Sequence, residues 1–207
     1  RIDWEQGQKT GFFLDQRENR ALLGSLSQGK KVLNVFSYTG GFSIYALKAG
    51  AIQVDSLDSS QRALDVCEEN VALNNLSFQR HNSIAADALD YLKADNLSDY
   101  DIVVLDPPAF AKRASARHAA VQGYKRINLR ALQGMKSGAL LFTFSCSQAV
   151  DDTLFTNTIV AAAIQAGRTV RILHRLHQPP DHPVNAFHPE GSYLKGLVVR
   201  VDDPVQG

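Results

Sequence analysis

Short apolar runs alternate along the chain with stretches whose hydrophobic positions recur at helical spacing. Residues 30–36, 52–57, 101–105 and 139–144 are rich in Val, Ile, Leu and Phe, have the length of strands, and are bounded by Gly, Asp or Pro. Runs of this kind, with no polar alternation, are those of strands buried on both faces. Helical patterns occupy 42–49, 60–74, 119–136 and 151–166, and a weaker strand is predicted near 78–85. Alternation of strand and helix predicts an open, mostly parallel α/β sheet with right-handed crossovers, whose ligands sit beyond the carboxyl ends of its strands. The pattern then changes. Residues 169–176 and 193–201 read as strands joined by a Pro- and His-rich loop, 177–191, and predict an antiparallel hairpin at the sheet edge. Residues 1–29 precede the first repeating unit and are expected to form an extension that covers one end of the sheet, with 30–207 as the main domain.

Composition narrows the class. With 207 residues, 44% hydrophobic and 21% charged, the chain can bury the core of one large domain. It contains no apolar run of the roughly 20 residues a membrane span needs, and the opening Arg1-Ile2-Asp3-Trp4-Glu5 does not read as a secretory signal. No membrane partner and a cytoplasmic site are therefore expected. Two cysteines, Cys67 and Cys146, make no disulfide framework, and no His/Cys cluster has zinc-site spacing, so no metal is expected. The net charge of +1 hides an uneven distribution. Residues 51–106 hold eleven acids against three Lys or Arg, whereas 107–150 hold no acid and seven basic residues: Lys112, Arg113, Arg117, Lys125, Arg126, Arg130 and Lys136. That segment suits a phosphate-bearing partner, or forms solvated helix faces whose acidic partners come from elsewhere in the fold.

The run from Val32 to Phe42, Val-Leu-Asn-Val-Phe-Ser-Tyr-Thr-Gly-Gly-Phe, is a strand that enters a glycine turn and then a helix. Here a backbone can approach a ligand closely and a helix presents free N–H groups. A dinucleotide site calls for Gly-x-Gly-x-x-Gly to admit a pyrophosphate. The chain has only Gly40-Gly41, which suffices for a cofactor without pyrophosphate, S-adenosylmethionine. Asp58 closes the next strand, 24 residues after Asn34, where a carboxylate can accept from both ribose hydroxyls. Asp87, after the third strand, could accept from an adenine amino group; alone, either acid is more often a helix cap or a surface charge.

Asp106-Pro107-Pro108-Ala109-Phe110 ends the fourth strand with an acid and two prolines that cannot continue a ladder. This shape suits the holding of a planar, nitrogen-bearing base, although a Pro-rich turn after a strand is common in itself. Cys146 stands at the carboxyl end of the fifth strand, on the rim expected to hold substrate. Carbon 5 of cytosine is a poor nucleophile until a thiolate adds to carbon 6. Cys146 is the candidate for that thiolate, with Asp106 holding or protonating ring nitrogen 3. Cys67, inside an amphipathic helix, reads as a buried structural residue.

These fragments resemble the bacterial large-subunit ribosomal RNA cytosine-5 methyltransferases over nearly the whole chain. The resemblance is carried by 9–17, the 34–42 loop, Asp58, 106–110, 123–128, Ser145-Cys146-Ser147 and 189–196. It implies a Rossmann-like class I methyltransferase that uses S-adenosylmethionine, with Asn34, Phe36, Ser37, Tyr38, Gly40, Asp58, Asp87 and Asp106 at the cofactor and Cys146 as nucleophile. It further implies that Phe13, Gln16 and Arg17 close over the cofactor or line the cleft. Pro107, Pro108, Tyr124, Lys125 and Arg126 are expected to meet ribosomal RNA, with homodimer formation left open. Full-length members carry an RNA-binding PUA domain and a linking domain ahead of the catalytic domain; the resemblance covers the catalytic part, so weaker RNA affinity is expected. Two positions depart from the pattern: Asn34 replaces an acid, and Ala109 stands where relatives often have Lys. A sister family methylates guanine N7, a reaction that needs no thiol, and a cofactor-binding RNA module without turnover is the other alternative. Cys146 favours cytosine.

Overall fold

A computed structural model of the protein describes residues 12–93, 97–110 and 114–204. Seven strands form one sheet: β1 (Lys31–Val35), β2 (Gln53–Asp58), β3 (His81–Ala85), β4 (Ile102–Leu105), β5 (Leu140–Ser145), β6 (Thr169–Leu176) and β7 (Lys195–Asp202). The helices are α1 (Arg17–Leu26), α2 (Gly41–Lys48), α3 (Gln61–Leu73), α4 (Ala88–Lys93), α5 (Arg117–Gly134) and α6 (Asp152–Ala166). Strand order is β3-β2-β1-β4-β5-β7-β6, with β1 to β5 parallel and β7 antiparallel to both of its neighbours. The order reverses between β1 and β4, so a crevice opens there beyond the carboxyl ends of the strands.

The core follows from the two-residue period of the central strands. Val32, Val54, Ile102, Val104 and Phe142 face one way and pack with Leu23 of α1, Ala46 and Leu47 of α2 and Val71 of α3. Leu33, Val35, Val103, Leu105 and Leu141 face the other way and meet Tyr124, Ile127 and Ala131 of α5 and Phe155 and Ile159 of α6. Helix ends are set locally. Ser60 Oγ accepts from the Ala63 amide at the start of α3, and Asp151 Oδ1 from the Leu154 amide at the start of α6. Gly167 ends α6 at φ 67°, a left-handed conformation that favours glycine.

The mostly parallel α/β sheet and its antiparallel edge hairpin match the expectation, with one refinement: β7, the last strand, lies between β5 and β6. Two helices have no counterpart among the expected elements. In α1 the buried positions mix polar Asn19 and Arg20 with Leu23 and Gly24, so its apolar face, Leu23 flanked by Leu22 and Leu26, is short and interrupted. The six-residue α4 is too short for a hydrophobic period to register. Residues 1–11 of the expected extension, and Lys112 and Arg113 of the basic segment, lie outside the described residues.

Candidate active site at the carboxyl rim of the sheet

The turn after β1 is built on left-handed backbone. Phe36 (φ 60°), Tyr38 (φ 48°) and Gly40 (φ 80°) all have positive φ. For the two aromatic residues this costs on the order of 1–3 kcal/mol each and persists only where surroundings enforce it. Several contacts do so. The Ser37 amide donates to the Leu57 carbonyl at 3.0 Å, and the Gly40 amide to the Ser37 carbonyl at 2.9 Å. Asn70 of α3 donates to the Thr39 carbonyl at 3.1 Å. A Cβ on Gly40 would stand 2.2 Å from Cys67 Sγ, so α3 supports the turn from below. Burial pushes the Cys67 thiol up to about 11, which keeps it protonated.

Asn34 is buried within the sheet, and its amide donates to Ser43 Oγ at 2.9 Å. Ser43 in turn shares a hydrogen bond with Ser56 Oγ at 2.7 Å, and Ser56 with His81 Nε2 at 2.9 Å. This interior chain ties β1, α2, β2 and β3 together beneath the turn. Among the described residues, Asn34 Oδ1 and Ser37 Oγ are buried without a hydrogen-bond partner. Orphaned polar atoms cost stability unless a ligand or water pairs them. Those beside the turn suit the polar methionine end of S-adenosylmethionine.

Asp58 leaves the end of β2 with both oxygens oriented: Oδ2 accepts from the Tyr38 amide and Oδ1 from the Ser60 amide, each at 2.9 Å. A carboxylate has about four acceptor sites, so two remain for hydroxyl donors. Asp87 Oδ1 accepts from the Leu89 amide at 2.8 Å and the Asp90 amide at 3.1 Å. It caps α4, and its exposed position follows β3 on the same rim.

Residues 12–20 lie against this rim, from which α1 runs toward the amino ends of the strands. Phe13 meets Tyr38 edge-on, with ring centroids 5.8 Å apart. Gln16 donates from Nε2 to Asp106 Oδ1 at 3.1 Å, and its own oxygen accepts from Asn19 Nδ2 at 2.7 Å. Asp106 is thereby oriented at the end of β4. Arg20 is buried, donates to the Phe13 carbonyl at 2.7 Å and lies 4.4 Å from the Phe12 ring centroid. Burial lowers its pKa, although nearby Asp15, Asp106 and Tyr45 oppose that shift. Arg17 turns outward instead, pairing with Glu18 at 3.0 Å and with Asp181 of the 177–191 loop at 2.6 Å.

Cys146 follows β5, partly exposed between the buried Ser145 and Ser147. Tyr124, fully buried against Phe110 and Phe155, shares a hydrogen bond with Ser147 Oγ at 3.1 Å. Its ring is thus a support of the cysteine segment, and burial raises its pKa. Lys195, only 3% exposed, donates from Nζ to the Ser147 carbonyl at 2.8 Å. Burial lowers the pKa of this ammonium. Tyr193 donates to Asp15 Oδ2 at 2.7 Å, and burial and that bond push its pKa up. Sequence reasoning assigned no role to Asp15, Tyr193 or Lys195. All three lie within the fragments 9–17 and 189–196, but nothing local there points to their contacts.

The sequence-predicted residues thus divide. The 36–40 turn, Asp58, Asp106, Pro107, Pro108 and Cys146 share the carboxyl rim, with Pro107 buried and Pro108 exposed. Arg126 is exposed and Lys125 half-buried on α5, beside Tyr124 in sequence. A separate open groove of about 780 Å³ is lined by Gly24, Gln28, Tyr45, Lys48 and Asn74, among others. Gln28 precedes β1 and Lys48 ends α2, which places the groove toward the amino ends of the strands, away from Cys146.

Comparison with known proteins agrees with this geometry. Residues 1–200 match the family described as S-adenosylmethionine-dependent methyltransferase. The chain is 46% identical over 202 residues to ribosomal RNA large subunit methyltransferase I of Shewanella amazonensis, and 44% identical to the protein of that name from Escherichia coli. Each alignment covers 97% of this chain and 51% of the relative, so the chain spans about half the length of these relatives. Among solved structures, a methyltransferase complexed with SAH superposes at TM-score 0.82, with 28% identity, covering 92% of this chain and 50% of the other. A Streptococcus mutans protein assigned to the S-adenosylmethionine-dependent methyltransferases superposes at TM-score 0.83, with 27% identity, covering 94% and 51%. The match over nearly the whole length, the strand order with its antiparallel seventh strand and the glycine turn at the switch point agree: the chain belongs to the S-adenosylmethionine-dependent methyltransferases.

Proposed function

We propose that the chain methylates carbon 5 of a cytosine in ribosomal RNA, with Cys146 as the covalent nucleophile. The observation that carries this reading is the place of Cys146: partly exposed at the end of β5, on the rim that also holds Asp106 and the 36–40 turn. The name of the large-subunit ribosomal RNA relatives supports the substrate class.

The chain's own groups divide the work. The 36–40 turn and Asp58 bind the cofactor, Asp58 through its two remaining acceptor positions. Phe13 and Gln16 close over it, and the two prolines after Asp106 keep the strand end open for a flat base. Bound S-adenosylmethionine supplies the sulfonium methyl. Cys146 Sγ adds to carbon 6 of the ring, and the electron pair of the C5=C6 bond moves to carbon 5, the methyl acceptor. Asp106, held by Gln16, orients ring nitrogen 3 during the addition. After transfer a base removes the carbon 5 proton, the C5=C6 bond re-forms and the thiolate leaves. Arg126 and Lys125 contribute phosphate contacts.

Mapping of 5-methylcytosine in ribosomal RNA from cells that lack the gene tests this reading. One large-subunit cytosine should lose its methyl group and regain it on complementation. Unchanged 5-methylcytosine, or loss of 7-methylguanine instead, would overturn it.

A further inference from the structure

Lysines are almost never fully buried unless paired, and Lys195 is 3% exposed. It opens β7 directly opposite Ser145 in the β5–β7 ladder. From there its Nζ reaches the Ser147 carbonyl at 2.8 Å, so one residue grips the chain on both sides of Cys146. The other groups that face this point come from three elements. Tyr124 of α5 and Tyr193, just before β7, are phenols bonded to Ser147 and Asp15, and burial keeps both protonated at neutral pH. Asp151 and Asp152, at the start of α6, are more than half exposed. Asp151 pairs with Arg117 at 3.2 Å, and Asp152 lies 3.9 Å from His177 Nδ1. Among the described residues, Lys195 is therefore the buried cation in this wall. Its charge interacts with Cys146, and its own burial leaves that interaction less screened than one between two surface groups.

We propose that Lys195 is the positioning residue of the Cys146 nucleophile: anchored on the Ser147 carbonyl, its ammonium fixes the 145–147 segment and stabilises the thiolate. This deepens the reading of Cys146 as nucleophile and rests on it. The S–H proton goes to solvent, the sulfur pair forms the bond to carbon 6, and Lys195 keeps its protons throughout.

The test is the pH dependence of Cys146 alkylation by iodoacetamide, read by intact mass, in wild type, Lys195→Met and Lys195→Arg. Cys67 is buried and protonated, and Cys146→Ser identifies the modified site. The wild-type midpoint should fall below the ordinary cysteine value of about 8.5. Lys195→Met should move it up and slow alkylation at pH 7 about tenfold, a one-unit shift, while Lys195→Arg keeps most of the effect. On RNA, kcat should fall with the same order across the variants and KM for S-adenosylmethionine should hold. A wild-type midpoint at or above the ordinary value overturns the proposal without any variant, and so does a folded Lys195→Met protein with the wild-type profile. Retained 5-methylcytidine formation by Cys146→Ser would instead sink the nucleophile reading and leave the alkylation profiles standing, so the two failures are distinguishable.

Discussion

Replacing Gly40 by Ala probes the support of the cofactor turn with a single methyl group. Gly40 sits at φ 80°, where an L-residue pays roughly 1–2 kcal/mol. The added Cβ would also lie 2.2 Å from Cys67 Sγ and 3.2 Å from its Cβ, an overlap that must be relieved by moving the turn or α3. Overpacking of this kind costs about 1–3 kcal/mol. Together they set an expected loss of about 2–5 kcal/mol, a large part of the 5–15 kcal/mol typical of a domain. A double-mutant cycle with Cys67→Ala isolates the sulfur overlap, since it removes the 2.2 Å contact and leaves the φ penalty and the 3.2 Å contact with the residue 67 Cβ. Urea unfolding should show Gly40→Ala/Cys67→Ala to be more stable than the sum of its single variants by about 1 kcal/mol or more. Calorimetric titration with S-adenosylhomocysteine should show weakened binding to Gly40→Ala, partly restored in the double variant. A neutral Gly40→Ala, or strictly additive variants, would refute the claim that α3 props the turn through Cys67.

Three further outcomes follow from particular residues. Burial lowers the pKa of His81 below 6.5, so its contribution to stability is fully present above that value and is lost as pH falls through the lowered one. Urea midpoints measured downward from pH 7 should therefore fall on the acid side, and His81→Gln should flatten that part of the slope; an unchanged slope contradicts the burial argument. Asp58→Asn keeps the shape and removes the charge, so S-adenosylhomocysteine affinity should drop about ten- to hundredfold, the 1.5–3 kcal/mol of hydrogen bonds to a charged group; an unaltered dissociation constant would remove Asp58 from the site. Reversing charge with Lys125→Glu and Arg126→Glu should weaken RNA binding and reduce the salt slope by about one for each phosphate no longer neutralised. Equal slopes would mark these residues as a solvated helix face.

Much of the architecture was legible because the central strands are buried on both faces. Val32, Leu33, Val103 and Val104 each pack against helices, which erases polar alternation and leaves the apolar runs that the sequence shows. The hairpin was legible as two strands, but its threading was not, since nothing local distinguishes β7 beside β5 from β7 at the edge. Gly196 holds that information in retrospect: a Cβ there would meet Phe144 Cδ1 at 2.6 Å, so only glycine lets β7 pair next to β5. Helix α1 was invisible because buried polar residues, Asn19 bonded to Gln16 and Arg20 to the Phe13 carbonyl, interrupt the short apolar face of Leu22, Leu23 and Leu26. At the site, residues beside glycines and strand ends could be named in advance. Tyr193 and Lys195 could not, because they reach Asp15 and the Ser147 carbonyl across 178 and 48 positions of sequence. Tyr124 was expected among the RNA contacts from the 123–128 fragment, but its ring turns inward.

The most direct test of the central claim is the nucleoside composition of large-subunit ribosomal RNA after incubation with S-adenosylmethionine and either wild-type protein or Cys146→Ser, read by mass spectrometry. The wild type should form 5-methylcytidine, and Cys146→Ser should form it at least a thousandfold more slowly, about 4 kcal/mol of transition-state stabilisation. Methylation of cytosine by Cys146→Ser at the wild-type rate, or a wild-type product other than 5-methylcytidine, would contradict that claim.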